Sequence, residues 1–385
     1  MSKVEELLAK YNSKRISTIK LADILDYEQP SKYIVSSSEY DDNYDIPVLT
    51  AGQTFILGYT DEKDGVYKAS KNNPTIIFDD FTTGHHWVDF DFKIKSSAMK
   101  MLRLKNNKSL LRYIFHSMAL INYVPTEHSR QWISKYSQFE IPLPHIKVQE
   151  EIVKILDSFT NLIDALNEEL SLRQKQLEYY RDQLYDDLFK KTKGVDVLCF
   201  SELGQIERGK RFVRDDIKTH GQPCIHYGDM YTFYGVKSNK AKTYLDRDFP
   251  KKMRYADIGD VIIVGAGENN WDIGVGLAWL GDEPAAVHDA CYIVKHNNNP
   301  LFIAYYTRTT DYHQQLKKCV SEGKICSFSA EGLGKVTIPI PSLAIQQSIV
   351  EKLDAFESLI SSLKEEIALR QKQYEYYREK LLTFN

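Results

Sequence analysis

The residues that could do chemistry in this chain are basic and polar rather than acidic or metal-ligating. The densest run is Arg208-Gly-Lys210-Arg211-Phe-Val-Arg214, four cations in seven residues, followed by Asp215 and Asp216. Arginine and lysine in such a loop suit phosphate oxygens or the paired acceptors of a guanine edge. The bland alternative is a solvated loop. A turn at Thr82-Thr83-Gly84-His85-His86-Trp87 offers hydroxyls and imidazoles, but no third ligand is spaced to make the His-His pair a metal site. Asp79, Asp80, Asp91 and Lys93 have a faint likeness to the carboxylate–lysine layout of metal-dependent nucleases, without the wider pattern and without a counterpart later in the chain. There is no phosphate-binding G-x-x-x-x-G-K-[ST] loop. Gly265-Ala-Gly267 and Gly274-Val-Gly276 lack the third glycine of a dinucleotide fingerprint. No Asn- or Asp-Pro-Pro-aromatic run is present of the kind that methylates a flipped base. The sequence therefore offers no recognised catalytic cluster, metal site or phosphate-binding loop.

These residues must be held by at least two domains, because 385 residues exceed what one hydrophobic core usually supports. Hydrophobic residues at 43% and charged residues at 27% exclude a mainly disordered chain. No apolar run approaches the ~18 residues of a membrane span, and the first residues have no apolar core like a secretory signal. Five cysteines, an odd number with no C-x-x-C, suggest a reducing cytoplasm and no structural zinc. The net charge is −3, and residues 1–140 and 195–340 each balance 18 cations with 18 anions. Any nucleic-acid contact must therefore come from a local patch.

The organising feature is an internal copy. Residues 141–185 and 338–382 align at an offset of 197 without a gap, and 24 of 45 positions are identical. In the first copy Ile152, Leu156, Phe159, Ile163, Leu166, Leu170, Arg173, Leu177, Tyr180 and Leu184 step by alternating four and three. Ile349, Leu353, Phe356, Ile360, Leu363, Ile367, Arg370, Tyr374, Tyr377 and Leu381 repeat the steps. The mean of 3.5 predicts a coiled-coil seam along a rod of roughly 60 Å. One narrow stripe needs a partner, and the other copy is the simplest one. Pro142/Pro144 and Pro339/Pro341 are expected to fix where the helices start. Arg173 and Arg370 sit in the seam, either with the head snorkelling to water or as a register device paired with a flanking acid.

Before each long helix lies a region of about 140 residues with one coarse order. An apolar run (19–25, 197–203) precedes a strand and turn (46–52, 222–228) and a β-branched strand (75–78, 261–264). A polar loop (79–86, 265–270), a further strand (99–104, 291–294) and a helix (110–121, 301–316) complete it. The expected fold is α+β, with mixed sheets in two domains and two long helices: 1–140 and 195–337 as the domains, 141–194 and 338–385 as helices with a linker near 190–195. A short amphipathic helix carrying Val4, Leu7, Leu8 and Tyr11 stands before the first domain as Leu184–Phe189 stands before the second.

The duplicated I-P-x-P…Gln149…Ile-Val…Leu-Asp…Phe…L-R-Q-K-Q…E-Y-Y-R segment resembles the DNA specificity subunit of type I restriction–modification systems, and the resemblance covers essentially the whole chain. It implies two target recognition domains held apart by an antiparallel helix pair, each reading half of a bipartite double-stranded DNA target. It also implies two modification subunits that bring S-adenosylmethionine and methylate adenine, restriction subunits that bring ATP hydrolysis and cleavage, no catalytic residue or cofactor in this chain, and a prokaryotic cytoplasmic location. The family's recognition domains vary too much for base contacts to be transferred. Loop position and residue type select Arg208, Lys210, Arg211, Arg214, Asn269, Asn270, Lys324 and Ser327 in the second domain, and Gln53, Thr82, Thr83, His85, Arg130 and Gln131 in the first. The competing readings are a DNA-cleaving or modifying enzyme, which needs a carboxylate cluster, and a coiled-coil scaffold that binds only proteins.

Overall fold

The structure, a computed structural model, describes residues 3–384 except 12–15, 51–53, 192–194, 250–251, 268–272, 322 and 324. The chain divides into two compact units, Met1–Asn167 with Glu366–Asn385, and Glu168–Glu365. Each unit thus owns part of both long helices, Ile146–Lys191 and Leu343–Leu382.

In the first unit the strand Ser17–Lys20 pairs antiparallel with Glu140–Leu143, bringing Ile19 opposite Ile141. An antiparallel sheet follows in the order Leu25–Glu28, Met99–Leu104, Thr75–Asp79, His85–Val88. A second sheet, Ile56–Thr60, Ile46–Leu49, Lys93–Ile94, contains one parallel pairing and is therefore mixed. Thr75-Ile-Ile-Phe is wholly buried because both its faces are covered. Ile76 and Phe78 point into a cluster with the helix Leu111–Met118 and the long helices, while Ile77 points into a cluster with Leu49 and Met101. This is the period-two alternation of a central strand.

The second unit repeats the plan. Asp196–Cys199 pairs with Thr337–Ile340. The central sheet runs Gly204–Arg208, Cys291–His296, Val261–Val264, Gly276–Trp279, Lys237–Ser238, and the second sheet Thr243–Leu245, Gln222–Ile225, Ala285–Val287, Tyr255–Ala256. Each sheet has one strand more than its counterpart. Val261 and Ile263 face the helical core, Ile262 and Val264 the other.

The seam pairs copy with copy inside each unit. Phe159 stacks on Tyr377 in the first unit, with ring centroids 5.3 Å apart, and Phe356 stacks on Tyr180 in the second at 5.5 Å. The offset of 197 turns one pair into the other. Ile152, Leu156 and Leu353 are fully buried. Arg173 contacts Glu169 and Gln176 of its own helix, and Arg370 contacts Glu366 and Gln373 in the same way, each 39% exposed. The paired acid is real but lies one turn back on the same helix. This is the snorkelling arrangement, with the apolar stem in the seam and the head at its edge.

Two details differ from the sequence reading. Pro142 and Pro339 lie in strands, and the helices begin only at Ile146 and Leu343. Proline is acceptable there because each is in a two-stranded edge pairing, where its missing N–H faces no second neighbour. The helix expected over 301–316 is two, Pro300–Tyr306 and Thr310–Lys317. The Thr309 hydroxyl accepts from the Tyr312 N–H and so starts the second helix. The short first helix spans Lys3–Tyr11 and buries Val4. All five cysteines are free thiols, and among the described residues no helix is long and apolar enough to cross a membrane.

Candidate nucleic-acid interface

In each unit a hairpin loop of the central sheet is clasped by the segment that precedes the long helix. In the first unit the Asp79 carboxylate accepts from the N–H groups of Phe81 and Thr82, closing a tight turn. Thr83 then adopts φ +62°, a left-handed conformation rare for a β-branched residue. The clasp comes from the segment around residue 131, whose N–H donates to the Asp80 carbonyl at 2.8 Å. Asp80 itself is fully buried. Its carboxylate accepts from the Trp132 N–H at 2.7 Å and pairs with buried Lys100 at 3.1 Å, with Arg130 3.7 Å away. Phe81 stacks on His128 across the clasp, with centroids 4.5 Å apart. Thr82, His128 and Arg130 are exposed on this tip.

Other candidates of the first unit are placed elsewhere. Gln131 is fully buried. Its amide carbonyl accepts from the Tyr123 hydroxyl and its NH₂ donates to the Ser129 carbonyl. It holds the clasp together, and both ends of the amide a base edge would use are already occupied. His85 packs edge-on to Phe115, and burial pushes it down to about 4, so it is neutral at physiological pH. Thr83 is also buried. Gln53 lies outside the described residues; two positions later in the sequence, Phe55 stacks on His86.

In the second unit the clasp is a short antiparallel pairing, Ala266–Gly267 with Cys326–Ser327, reinforced by Phe328 N–H to the Gly265 carbonyl. Ser327 therefore sits in the corresponding tip, half-buried. Asn269, Asn270 and Lys324 lie outside the described residues.

The basic run forms a different feature. Gly209 donates its N–H to the Cys291 carbonyl, and a Cβ at this position would meet the carbonyls of His288 and Val287 at 2.2 and 2.4 Å. Only glycine permits that approach. Phe212 then drops into a small core with Cys224, Leu245, Met253 and Ala286. The loop is pinned at both points, and Arg208, Lys210, Arg211 and Arg214 are all exposed. Arg208 Nε donates to the Asp289 carbonyl at 2.7 Å. Beneath the loop His226, Tyr227 and His288 form a ring cluster, with the two imidazoles 4.7 Å apart. Burial lowers both histidines, while Asp229 opposes this at His226 and Asp289 at His288. The loop's cations are joined on this face by Arg254, whose guanidinium donates to the Arg208 carbonyl at 2.5 Å. Exposed cations on a loop pinned in this way can grip a polyanion or read guanine edges.

The nuclease-like residues do not converge. Asp91 pairs with Lys68, Lys93 with Glu62, and Asp80 with Lys100. Among the described residues no group of three His, Cys, Asp or Glu side chains is placed to hold a metal ion.

Gln149 and Gln346 occupy matched positions of the repeat, and their role is set by partners that the sequence pattern does not reveal. Both are buried. The Gln149 carbonyl accepts from Leu110 N–H at 3.0 Å while its NH₂ donates to the Pro144 carbonyl at 2.8 Å. Gln346 makes the same two bonds, to Asn299 N–H and the Pro341 carbonyl, at 2.9 Å each. These clamps fasten a short roofing helix, Leu111–Met118 in the first unit and Pro300–Tyr306 in the second, to the start of the long helix.

The family model described as "Type I restriction modification DNA specificity domain" matches residues 14–173 and again 192–369. The chain is 38% identical to the Escherichia coli type I restriction enzyme EcoR124I/EcoR124II specificity subunit, over 100% of this chain and 97% of that protein. It is 30% identical to a putative type I restriction enzyme specificity subunit of Haemophilus influenzae, over 86% of each. The crystal structure of a type I restriction–modification S subunit from M. genitalium aligns with a TM-score of 0.56 at 15% identity, covering 96% of this chain and 97% of that one. A chain from a structural study of type I R-M complex assembly and conformational transition aligns at 0.54 and 16% identity, covering 96% of this chain and 98% of that one. The two solved structures establish likeness of fold.

Proposed function

The chain belongs to the type I restriction–modification DNA specificity family, and from that premise we propose that it is the sequence-reading subunit of a DNA-modifying and restricting complex in the cytoplasm of a prokaryote. Each unit reads one half of a split double-stranded target. The long helices set the gap between the halves. The chain itself performs no chemistry; adenine methylation with S-adenosylmethionine and ATP-driven cleavage belong to modification and restriction subunits.

The observation that carries this reading is where the repeat kept its identity. Residues 168–181 and 365–378 differ at only three positions of fourteen, although solvent-facing positions are free to drift after a duplication. Three exposed apolar pairs survive unchanged: Leu162 and Leu359 (both 39% exposed), Leu172 and Leu369 (59% and 65%), Tyr179 and Tyr376 (63% and 59%). Exposed apolar residues retained in duplicate fit two copies of one docking partner, here two modification subunits. The diverged tips fit two different half-sites. Half-sites one turn of DNA apart lie ~34–36 Å from each other, within reach of rods ~60 Å long.

Gel-shift binding of the assembled complex to a pool of random split sequences tests the proposal. Enrichment of two fixed half-sites at one gap is expected; no sequence preference in the presence of the modification partner would remove it. Inserting four residues, about one helical turn, within Ser171–Gln176 should lengthen the preferred gap.

A further inference from the structure

Asp157 and Asp354 are repeat mates, and both are aspartate although each flanks the seam rather than filling it. In the first unit the Asp157 carboxylate accepts from Arg112 Nε at 2.7 Å and lies 2.8 Å from His116 Nε2. In the second, Asp354 accepts from Lys237 Nζ at 2.6 Å and from the Tyr305 hydroxyl at 2.7 Å. His116 and Tyr305 correspond: each stands six residues after the residue whose N–H donates to the glutamine clamp, Leu110 or Asn299. The cations do not correspond. Arg112 comes from the same helix as His116, whereas Lys237 comes from the strand Lys237–Ser238, which has no counterpart among the described residues of the first unit. The carboxylate on the rod was kept while its partners on the domain were replaced by others of the same kind, one cation and one ring.

Burial would raise the Asp157 carboxyl, but His116 and Arg112 outweigh it and hold the group below its ordinary range, so it is the anion that sits there. His116 is fully buried, lowered chiefly by desolvation, and its other nitrogen meets the Tyr374 hydroxyl at 3.0 Å. Apolar contact between a domain and a helix is non-directional and tolerates small rotations. Two charge-assisted hydrogen bonds to one carboxylate do not.

We propose that Asp157 and Asp354 are positioning residues that fix the angle at which each reading domain is held on its long helix, and so sharpen the gap the protein accepts between half-sites. This rests on the reading of the helices as the ruler.

The test uses the full chain assembled with its modification partner, carrying Asp157→Asn or Asp354→Asn, on duplexes that keep both half-sites and vary the gap by one to three base pairs. The expected result is unchanged half-site bases with gap selectivity weakened by about tenfold, the size of one charge-assisted hydrogen bond. A gap preference as sharp as the wild type's would overturn the proposal, even with a lowered melting temperature, because a merely structural role predicts that pattern. If an aspartate variant fails to assemble, Tyr305→Phe removes one bond, leaves Asp354 paired with Lys237, and answers the same question. A wild-type complex indifferent to the gap would instead refute the ruler itself.

Discussion

The two units share a frame and differ at their tips. Both fold the same order of strands, both fasten the roofing helix with a buried glutamine, and both stack a phenylalanine of one repeat copy on a tyrosine of the other. Yet the first presents a compact tip built on a buried Asp80–Lys100 pair, while the second adds two strands and a pinned basic loop. The difference separates two demands on one ancestral unit. On the proposed reading, the frame is held because it must fit its partners and its own copy, and the tip is released because each unit meets a different stretch of DNA.

If the frames are energetically equivalent, truncating matched seam residues should cost the same. Leu156→Ala and Leu353→Ala, each fully buried, are expected to destabilise their own unit by about 2–5 kcal/mol. Hydrogen exchange resolved along the chain checks this, and a large cost in only one unit would break the equivalence. Gln149→Ala and Gln346→Ala come next. Each strands buried backbone groups, at about 1–3 kcal/mol, with local opening of the helix Leu111–Met118 in one case and Pro300–Tyr306 in the other.

The tips should respond separately. Arg208→Ala or Arg211→Ala should either relax one base position by ~1–3 kcal/mol or weaken binding evenly and lower the salt slope by about one. In both cases the preference at the other half-site stays intact. Selection from a randomised target measures it, and changes at both half-sites would contradict independent reading.

A separate expected effect concerns acid. Burial pushes both His85 in the first unit and His296 in the second down to about 4. A histidine depressed in the folded state favours folding while neutral, so its contribution is present above the ordinary value near 6.5 and is lost as pH falls toward 4. Melting temperatures followed across that window should fall less steeply in His85→Gln and His296→Gln than in the wild type.

Much of the frame was legible because it is local and periodic. The heptads locate the long helices, and the β-branched runs locate the central strands. What escaped was set by distant partners. Ser17–Lys20 finds Glu140–Leu143 across more than a hundred residues, which turns Pro142 from a helix-start signal into a strand residue. Thr309 looks like any helix interior residue until its hydroxyl caps a new helix. At the candidate site, residue type marked Arg130 and Gln131 alike, but the fold leaves Arg130 exposed and engages the Gln131 amide inside the clasp. Loop position alone does not reveal which way a side chain turns. Asp157 and Asp354 were visible as repeated residues, but their partners come from separate segments and became apparent only in three dimensions.

Methylome sequencing of a host carrying this chain with its partner genes tests most directly whether one chain reads two different half-sites at a set distance. The expected result is a single adenine-methylated motif made of two unlike half-sites separated by a gap of constant length. A contiguous motif, or methylation without a fixed gap, would contradict it.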